Sequence, residues 1–206
     1  MVDGSQVELT SSAIQGLAAA RACLGQRLGG ERARKVNAAI ARADPVLRAL
    51  QRADGSWEGN WGICFTYGTW FGICGLLVAG AEADDPAIVR AVEFLCCRQC
   101  DDGGWGESPL ADRDPAWRGR GTSTASQTAW ATIGLLAGED EASEPLLRGV
   151  QWLLERQNEN GTWDENEFTG SGFPGHFYLR YWLYSHYFPL MALGRFRVRM
   201  KETVSG

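Results

Sequence analysis

One cassette occurs three times with identical internal spacing: an arginine, an apolar pair beginning four residues on, a glutamine, then Gly-x-Trp. The copies are Arg42, Val46, Leu47, Gln51, Gly55 and Trp57; Arg90, Phe94, Leu95, Gln99, Gly103 and Trp105; and Arg148, Trp152, Leu153, Gln157, Gly161 and Trp163. The tryptophans recur about every 50 residues, the period range of stacked helical repeats, so this pattern constrains the architecture more than any other feature. Arginine, apolar pair and glutamine fall on helical spacing. Asp54-Gly55, Asp102-Gly103 and Asn160-Gly161 then supply a turn in which glycine adopts positive φ without strain. The glutamine amide is expected to bond a neighbouring helix end, and the indole to lie on that glutamine with its N–H on an acceptor. Gln51, Trp57, Gln99, Trp105, Gln157 and Trp163 therefore read as structural clips between helices, not as a ligand site.

Between the cassettes the pattern is helix and turn, with no convincing strand. Helices are expected over about 10–28, 33–51, 67–79, 86–99, 124–137, 145–157 and 177–196, with long loops at 107–121 and 164–174. Apolar helices alternate with amphipathic ones that end in cassettes, which suits two concentric layers. A closed six-hairpin toroid needs about twelve helices. The expectation is thus an all-α fold, an incomplete α/α toroid forming one arc of an (α/α)6 barrel. Residues 1–206 form one domain that is expected to belong to a longer chain.

Composition excludes several classes. A net charge of −5, with no basic stripe, argues against nucleic acid. No apolar run reaches about 18 residues, so no membrane-spanning helix is expected, while peripheral membrane contact stays open. Residues 1–5 have neither a basic start nor an apolar core, and an intracellular location is expected. The six cysteines look scattered and read as buried reduced thiols. Cys96 and Cys100 are one helical turn apart, but the only histidines are His176 and His186, so no metal or other cofactor is expected. Nine tryptophans are the anomaly to explain.

The cassettes occur together with Gly59-Asn60-Trp61-Gly62-Ile63-Cys64-Phe65-Thr66-Tyr67-Gly68-Thr69, Asp101-Asp102-Gly103-Gly104-Trp105-Gly106-Glu107 and Ser126-Gln127-Thr128-Ala129-Trp130. Gly172-Phe173-Pro174-Gly175-His176-Phe177-Tyr178-Leu179 and Phe188-Pro189-Leu190-Met191-Ala192-Leu193-Gly194-Arg195 follow in order. In this order the segments resemble the C-terminal region of squalene–hopene and oxidosqualene cyclases, over nearly the whole chain from about Val7. The segment at 172–179 is closer to squalene–hopene cyclases, whereas 62–69 is common to both branches. The resemblance implies an isomerase that folds squalene, or an oxidosqualene-like isoprenoid, in an apolar cavity. Protonation at one end then lets rings close through carbocations to a hopene-type product. An aromatic lining suits that chemistry, because a ring face stabilises a desolvated cation by roughly 0.5–2 kcal/mol and is not a nucleophile. Carried over residue by residue, the substrate- and cation-facing positions are Tyr67, Trp130, Phe173, Phe177, Tyr181 and Tyr184. Phe177, Tyr181 and Tyr184 are expected to share one helix face.

The family's proton donor, the middle aspartate of an Asp-x-Asp-Asp motif, has no counterpart here. The nearest approximation, Asp112-Arg113-Asp114-Pro115, lies in a loop with no acid role. The isolated chain is accordingly expected to be inactive, with the N-terminal remainder of a cyclase as its partner and a homodimer left open. Two other readings stand beside this one. The first is a non-catalytic isoprenoid-binding or interaction module. The second is another α/α-toroid protein such as a prenyltransferase β subunit, whose zinc ligands the two histidine positions do not suit.

Overall fold

The computed structural model describes residues 4–173 and 175–205, with side chains to Lys201. Residues 1–3, and Pro174 of the aromatic segment, lie outside the described residues. Seven α-helices are found among them: α1 (Val7–Leu24), α2 (Gly30–Leu50), α3 (Phe65–Ala79), α4 (Pro86–Cys97), α5 (Ala125–Gly138), α6 (Glu144–Glu155) and α7 (Tyr184–Ser205). Helices α1, α3, α5 and α7 pack side by side as an inner row, and α2, α4 and α6 cover its outside. Composition explains the layering. The α3 sequence, FTYGTWFGICGLLVA, carries no charge and is buried on nearly every side, whereas α4 and α6 bury one stripe and expose the other.

Helices α4, α5 and α6 begin within one residue of their expected starts, whereas α2 begins at Gly30 rather than near residue 33. Asp85 accepts from the Ala87 N–H ahead of Pro86, Thr124 from the Gln127 N–H, and Ser143 from the Leu146 N–H. Helix α1 differs from expectation: it begins at Val7 rather than near residue 10, and Ser11 is buried within it. Only Cys64 and Cys74 are buried; Cys23 and Cys97 are exposed, so the thiols are not uniformly interior.

All three cassettes make the indole bond, but only the first two clip two helices together: Gln157, expected to do the same, donates to Gly161 O of its own turn at 3.1 Å and is exposed. The indole N–H of Trp57, Trp105 and Trp163 donates to the carbonyl of its own cassette leucine, Leu47, Leu95 and Leu153, at 2.7, 2.7 and 2.8 Å. The amide of Gln51 donates to Gly55 O at 3.0 Å and to Ala87 O in the first turn of α4 at 2.8 Å; Gln99 likewise reaches Gly103 O and Pro145 O in α6, both at 2.8 Å. The glutamine therefore holds the start of the next outer helix. The indoles rest on glycines of neighbouring helices: a Cβ on Gly72 would fall 2.4 Å from Trp57, and one on Gly149 would fall 2.6 Å from Trp105.

Strands form where none was expected. β1 (Gly170–Phe173) and β2 (Phe177–Leu179) make an antiparallel hairpin with an irregularity between Ser171 and Phe173. The hairpin is fastened to the loop before α3, with Ile63 N–H on Thr169 O at 2.9 Å and Ser171 N–H on Trp61 O at 3.0 Å. Gly170, Gly172 and Gly175 (φ 75°) explain why the helix pattern fails here. Helix α7 consequently starts at Tyr184 rather than near Phe177, and Phe177, Tyr181 and Tyr184 do not share a helix face.

Candidate functional site

The inner row brings aromatic rings together from three helices. Tyr67 of α3 meets Trp130 of α5 with centroids 4.8 Å apart, and Trp130 meets Tyr184 and Phe188 of α7 at 5.9 and 5.5 Å. Trp70 closes the ring of contacts on Phe188 at 5.6 Å, and Tyr181 lies 4.7 Å from Tyr184. The contacts to Trp130 are edge-type, the arrangement that suits the ring quadrupole. Trp130 is fully buried, and its indole N–H has no hydrogen-bond partner among the described residues. Burial pushes the Tyr67 and Tyr184 hydroxyls well above the ordinary phenol range, with neighbouring tyrosines adding to it. Both rings therefore stay neutral phenols, with no phenolate to capture a cation.

Four of the six residues singled out from the sequence are thus connected: Tyr67, Trp130, Tyr181 and Tyr184. The other two, Phe173 and Phe177, pair with each other at 5.7 Å on the hairpin and are 65% and 46% exposed. Trp70 and Phe188 were not singled out. Both fall among runs of apolar residues that any core helix shows, and only the packing distinguishes them.

Two carboxylates, also missed, hold the inner helices in place. Helix α3 has no side-chain cap of its own. Glu107, two residues beyond Trp105, instead accepts from the N–H groups of Cys64, Phe65 and Thr66 at 2.9–3.1 Å. Glu165, two residues beyond Trp163, accepts from the Ser126 N–H and hydroxyl at 2.7 and 2.8 Å and from the Thr169 hydroxyl at 3.0 Å. Burial raises both carboxyls, against the lowering effect of these donors. The positive end of α3 thus meets a side chain from the following cassette. The sequence signal, an acid at Trp+2, is present in the second and third copies, while Gly59 fills that place in the first.

Asp112 serves as a link. Its carboxylate takes the Cys64 thiol at 2.6 Å, the Gly175 N–H at 2.9 Å and the Tyr178 hydroxyl at 3.0 Å, joining the loop at 109–112 to the hairpin and to the start of α3. Neither Asp112 nor Glu107 is arranged as a free proton donor, since the oxygens of both are engaged by donors.

Comparison with known proteins agrees with this layout. The family model described as the squalene-hopene cyclase C-terminal domain matches residues 8–198. A probable squalene–hopene cyclase of Sinorhizobium fredii is 48% identical over 160 residues, 77% of this chain and 25% of that protein. The squalene–hopene cyclase of Alicyclobacillus acidocaldarius is 46% identical over 158 residues, 77% and 25%. Human lanosterol synthase is 38% identical over 200 residues, 95% and 27%, so the squalene–hopene branch is favoured. The chain spans about a quarter of the length of the curated relatives it matches. Among solved structures, a type II terpene cyclase, MstE from Scytonema, superposes with TM-score 0.52 at 27% identity over 68% of this chain and 39% of its own. An ent-copalyl diphosphate synthase from Streptomyces platensis gives 0.58 over 95% and 32%; at 17% identity it speaks for the fold alone.

Proposed function

Since the chain belongs to the squalene-hopene cyclase C-terminal domain family, we propose that it supplies one arc of the wall of a triterpene cyclase. That enzyme would fold squalene, or oxidosqualene, in an aromatic-lined cavity and cyclise it through carbocations to a hopene-type product. The observation that carries this reading is the ring cluster joining α3, α5 and α7 through Tyr67, Trp130 and Tyr184. A polyene cation needs neighbours that stabilise charge without attacking it. Neutral aromatic rings do so through their quadrupoles, while water or a free carboxylate would capture or deprotonate it early. Packing Tyr67 and Trp130 edge-on against each other fixes their orientation before any substrate arrives, so no reorganisation is required as charge develops. Phe173 and Phe177, exposed on the hairpin, are the rings that substrate would cover.

The acid belongs elsewhere in this reading. The chain holds no Asp-x-Asp-Asp motif, and the N-terminal part of a complete cyclase would bring it, along with the rest of the cavity. Peripheral membrane contact follows from a water-insoluble substrate. The test is to incubate the purified chain with squalene and with oxidosqualene, alone and joined to the upstream part of a squalene–hopene cyclase. Gas chromatography should find cyclised product only in the joined protein. Product from the chain alone would mean that the chain carries its own acid.

A further inference from the structure

Phe173 and Phe177 flank the turn of a two-stranded hairpin, an element that is only marginally stable by itself in water. Its base is held from several sides. Ile63 N–H bonds Thr169 O, Ser171 N–H bonds Trp61 O, and a Cβ on Gly170 would run into the Tyr181 ring. None of these contacts reaches the turn, and the register is irregular between Ser171 and Phe173. The turn is gripped instead by Asp112, from a different loop. One oxygen, Oδ2, accepts both the Gly175 N–H at 2.9 Å and the Tyr178 hydroxyl at 3.0 Å, with Pro109 O of the same loop a second acceptor for that hydroxyl at 3.1 Å. The other oxygen, Oδ1, takes the Cys64 thiol at 2.6 Å.

The placement of these bonds matters more than their number. Gly175 lies between the two rings in sequence, and Tyr178 follows Phe177 directly. Successive strand side chains point to opposite faces, so Tyr178 reaches Asp112 on one face while Phe177, 46% exposed, is turned to the other. A Cβ on Gly172 would run into the Phe177 ring, which therefore lies across β1. Asp112 is itself held in place: the Ser108 hydroxyl accepts from the Leu110 N–H at 3.2 Å, and Ala111 is buried. Burial, and then the Asp112 carboxylate, raise the Tyr178 hydroxyl above the ordinary phenol value, so it remains a donor.

We propose that Asp112 is a positioning residue that decides product specificity: by gripping the hairpin turn on the face opposite Phe177, it sets where Phe173 and Phe177 meet the substrate and so which cation goes on to the next ring closure. The proposal rests on the cyclase reading above. Asp112 touches neither the substrate nor the reacting atoms; it acts through the two rings. A small displacement is enough, since a misplacement of about 1 Å can cost a step about 10²-fold.

The experiment joins this chain, in place of the matching region, to the upstream part of the Sinorhizobium fredii relative, and resolves the products from squalene by gas chromatography. Asp112→Ala should raise the ratio of incompletely to completely cyclised skeletons about tenfold, as the loss of one ring face would. Asp112→Asn keeps a carbonyl oxygen that can take both Gly175 and Tyr178, and should restore the parental ratio. Tyr178→Phe removes one donor, leaves the Gly175 bond, and should shift the ratio the same way by less; it carries the test if Asp112→Ala is not recovered folded. A merely structural role would lower yield and melting temperature at an unchanged ratio. That result, or a ratio for Asp112→Asn equal to that for Asp112→Ala, overturns the proposal. Amide exchange at Gly175 in the isolated chain is the second measurement. Its N–H should be protected in the parent and in Asp112→Asn and exchange faster in Asp112→Ala; equal exchange in all three overturns the grip. A joined parent that makes no cyclised product sinks the cyclase reading, while Gly175 exchange still scores the hold of Asp112 on the hairpin. An active joined protein whose ratio ignores Asp112 refutes the positioning alone.

Discussion

Trp130 and Phe173 are both aromatic members of the candidate wall, yet they stand in opposite surroundings. Trp130 is fully buried among Tyr67, Tyr184 and Phe188, whereas Phe173 is 65% exposed and touches Phe177 on a two-stranded hairpin. The difference teaches that one stretch of aromatic sequence can carry two separate duties. The buried cluster holds three inner helices together and is oriented by that packing. The hairpin pair, 65% and 46% exposed, is expected to contribute less to this chain's stability. Substitutions should separate the two.

The largest effect is expected at the cluster. Trp130→Ala should lower the isolated chain's unfolding free energy by about 3–5 kcal/mol, as for other buried large-to-small changes, measured by urea unfolding. A loss below about 1 kcal/mol would mean that the cluster is not core. Next comes the carboxylate that caps α3. Glu107→Ala leaves three N–H groups without an acceptor and should cost about 1–3 kcal/mol.

Glu107 also gives a pH test. Its folded carboxyl is raised above the unfolded value by burial. The folded state therefore keeps a proton that the unfolded chain has lost, and stability should fall as pH rises from the ordinary carboxylate value through the raised one. Glu165, raised for the same reason, adds a slope of the same sign. Glu107→Gln should flatten part of that slope. An unchanged pH profile would show that Glu107 is not the group responsible.

A smaller change is expected at the third cassette. Trp163→Phe keeps the ring but deletes the bond to Leu153 O, and should cost about 0.5–1.5 kcal/mol with no change in the products of a complete enzyme. Smallest is the hairpin. Phe173→Ala should shift the stability of the isolated chain by no more than about 0.5 kcal/mol. A loss as large as that at Trp130 would erase the distinction between the two regions.

Much of the fold was legible because repeats carry their own geometry. Identical spacing of Gln, Gly and Trp marked the three helix-end turns, and Asp85-Pro86, Thr124 and Glu144-Pro145 marked helix starts through ordinary N-terminal chemistry. The indole's acceptor was not legible, since a backbone carbonyl ten residues earlier leaves no sequence signal. The hairpin was missed because Phe177, Tyr181 and Tyr184 satisfy helical spacing by chance. The glycines before them, and the pairing with the loop before α3, decide the matter through contacts more than 100 residues apart. Glu107 was missed for the same reason: its donors lie more than 40 residues upstream. For the candidate site, resemblance supplied the names of six residues, and packing divided them into four and two.

The proposed cyclase wall has as its substrate-facing part the exposed hairpin rings Phe173 and Phe177, beside the buried cluster that joins the inner helices. Its most direct test is the product distribution of a complete cyclase carrying this region with Phe173→Ala or Phe177→Ala, analysed by gas chromatography after incubation with squalene. Removing a ring face should raise the barrier from one cation to the next by about 1–2 kcal/mol, roughly a tenfold change in rate. Deprotonation of the preceding cation, whose barrier is unchanged, then competes. The account predicts a larger share of incompletely cyclised skeletons at near-parental stability. The parental product ratio, at merely reduced yield, would contradict it and return both phenylalanines to the role of packing.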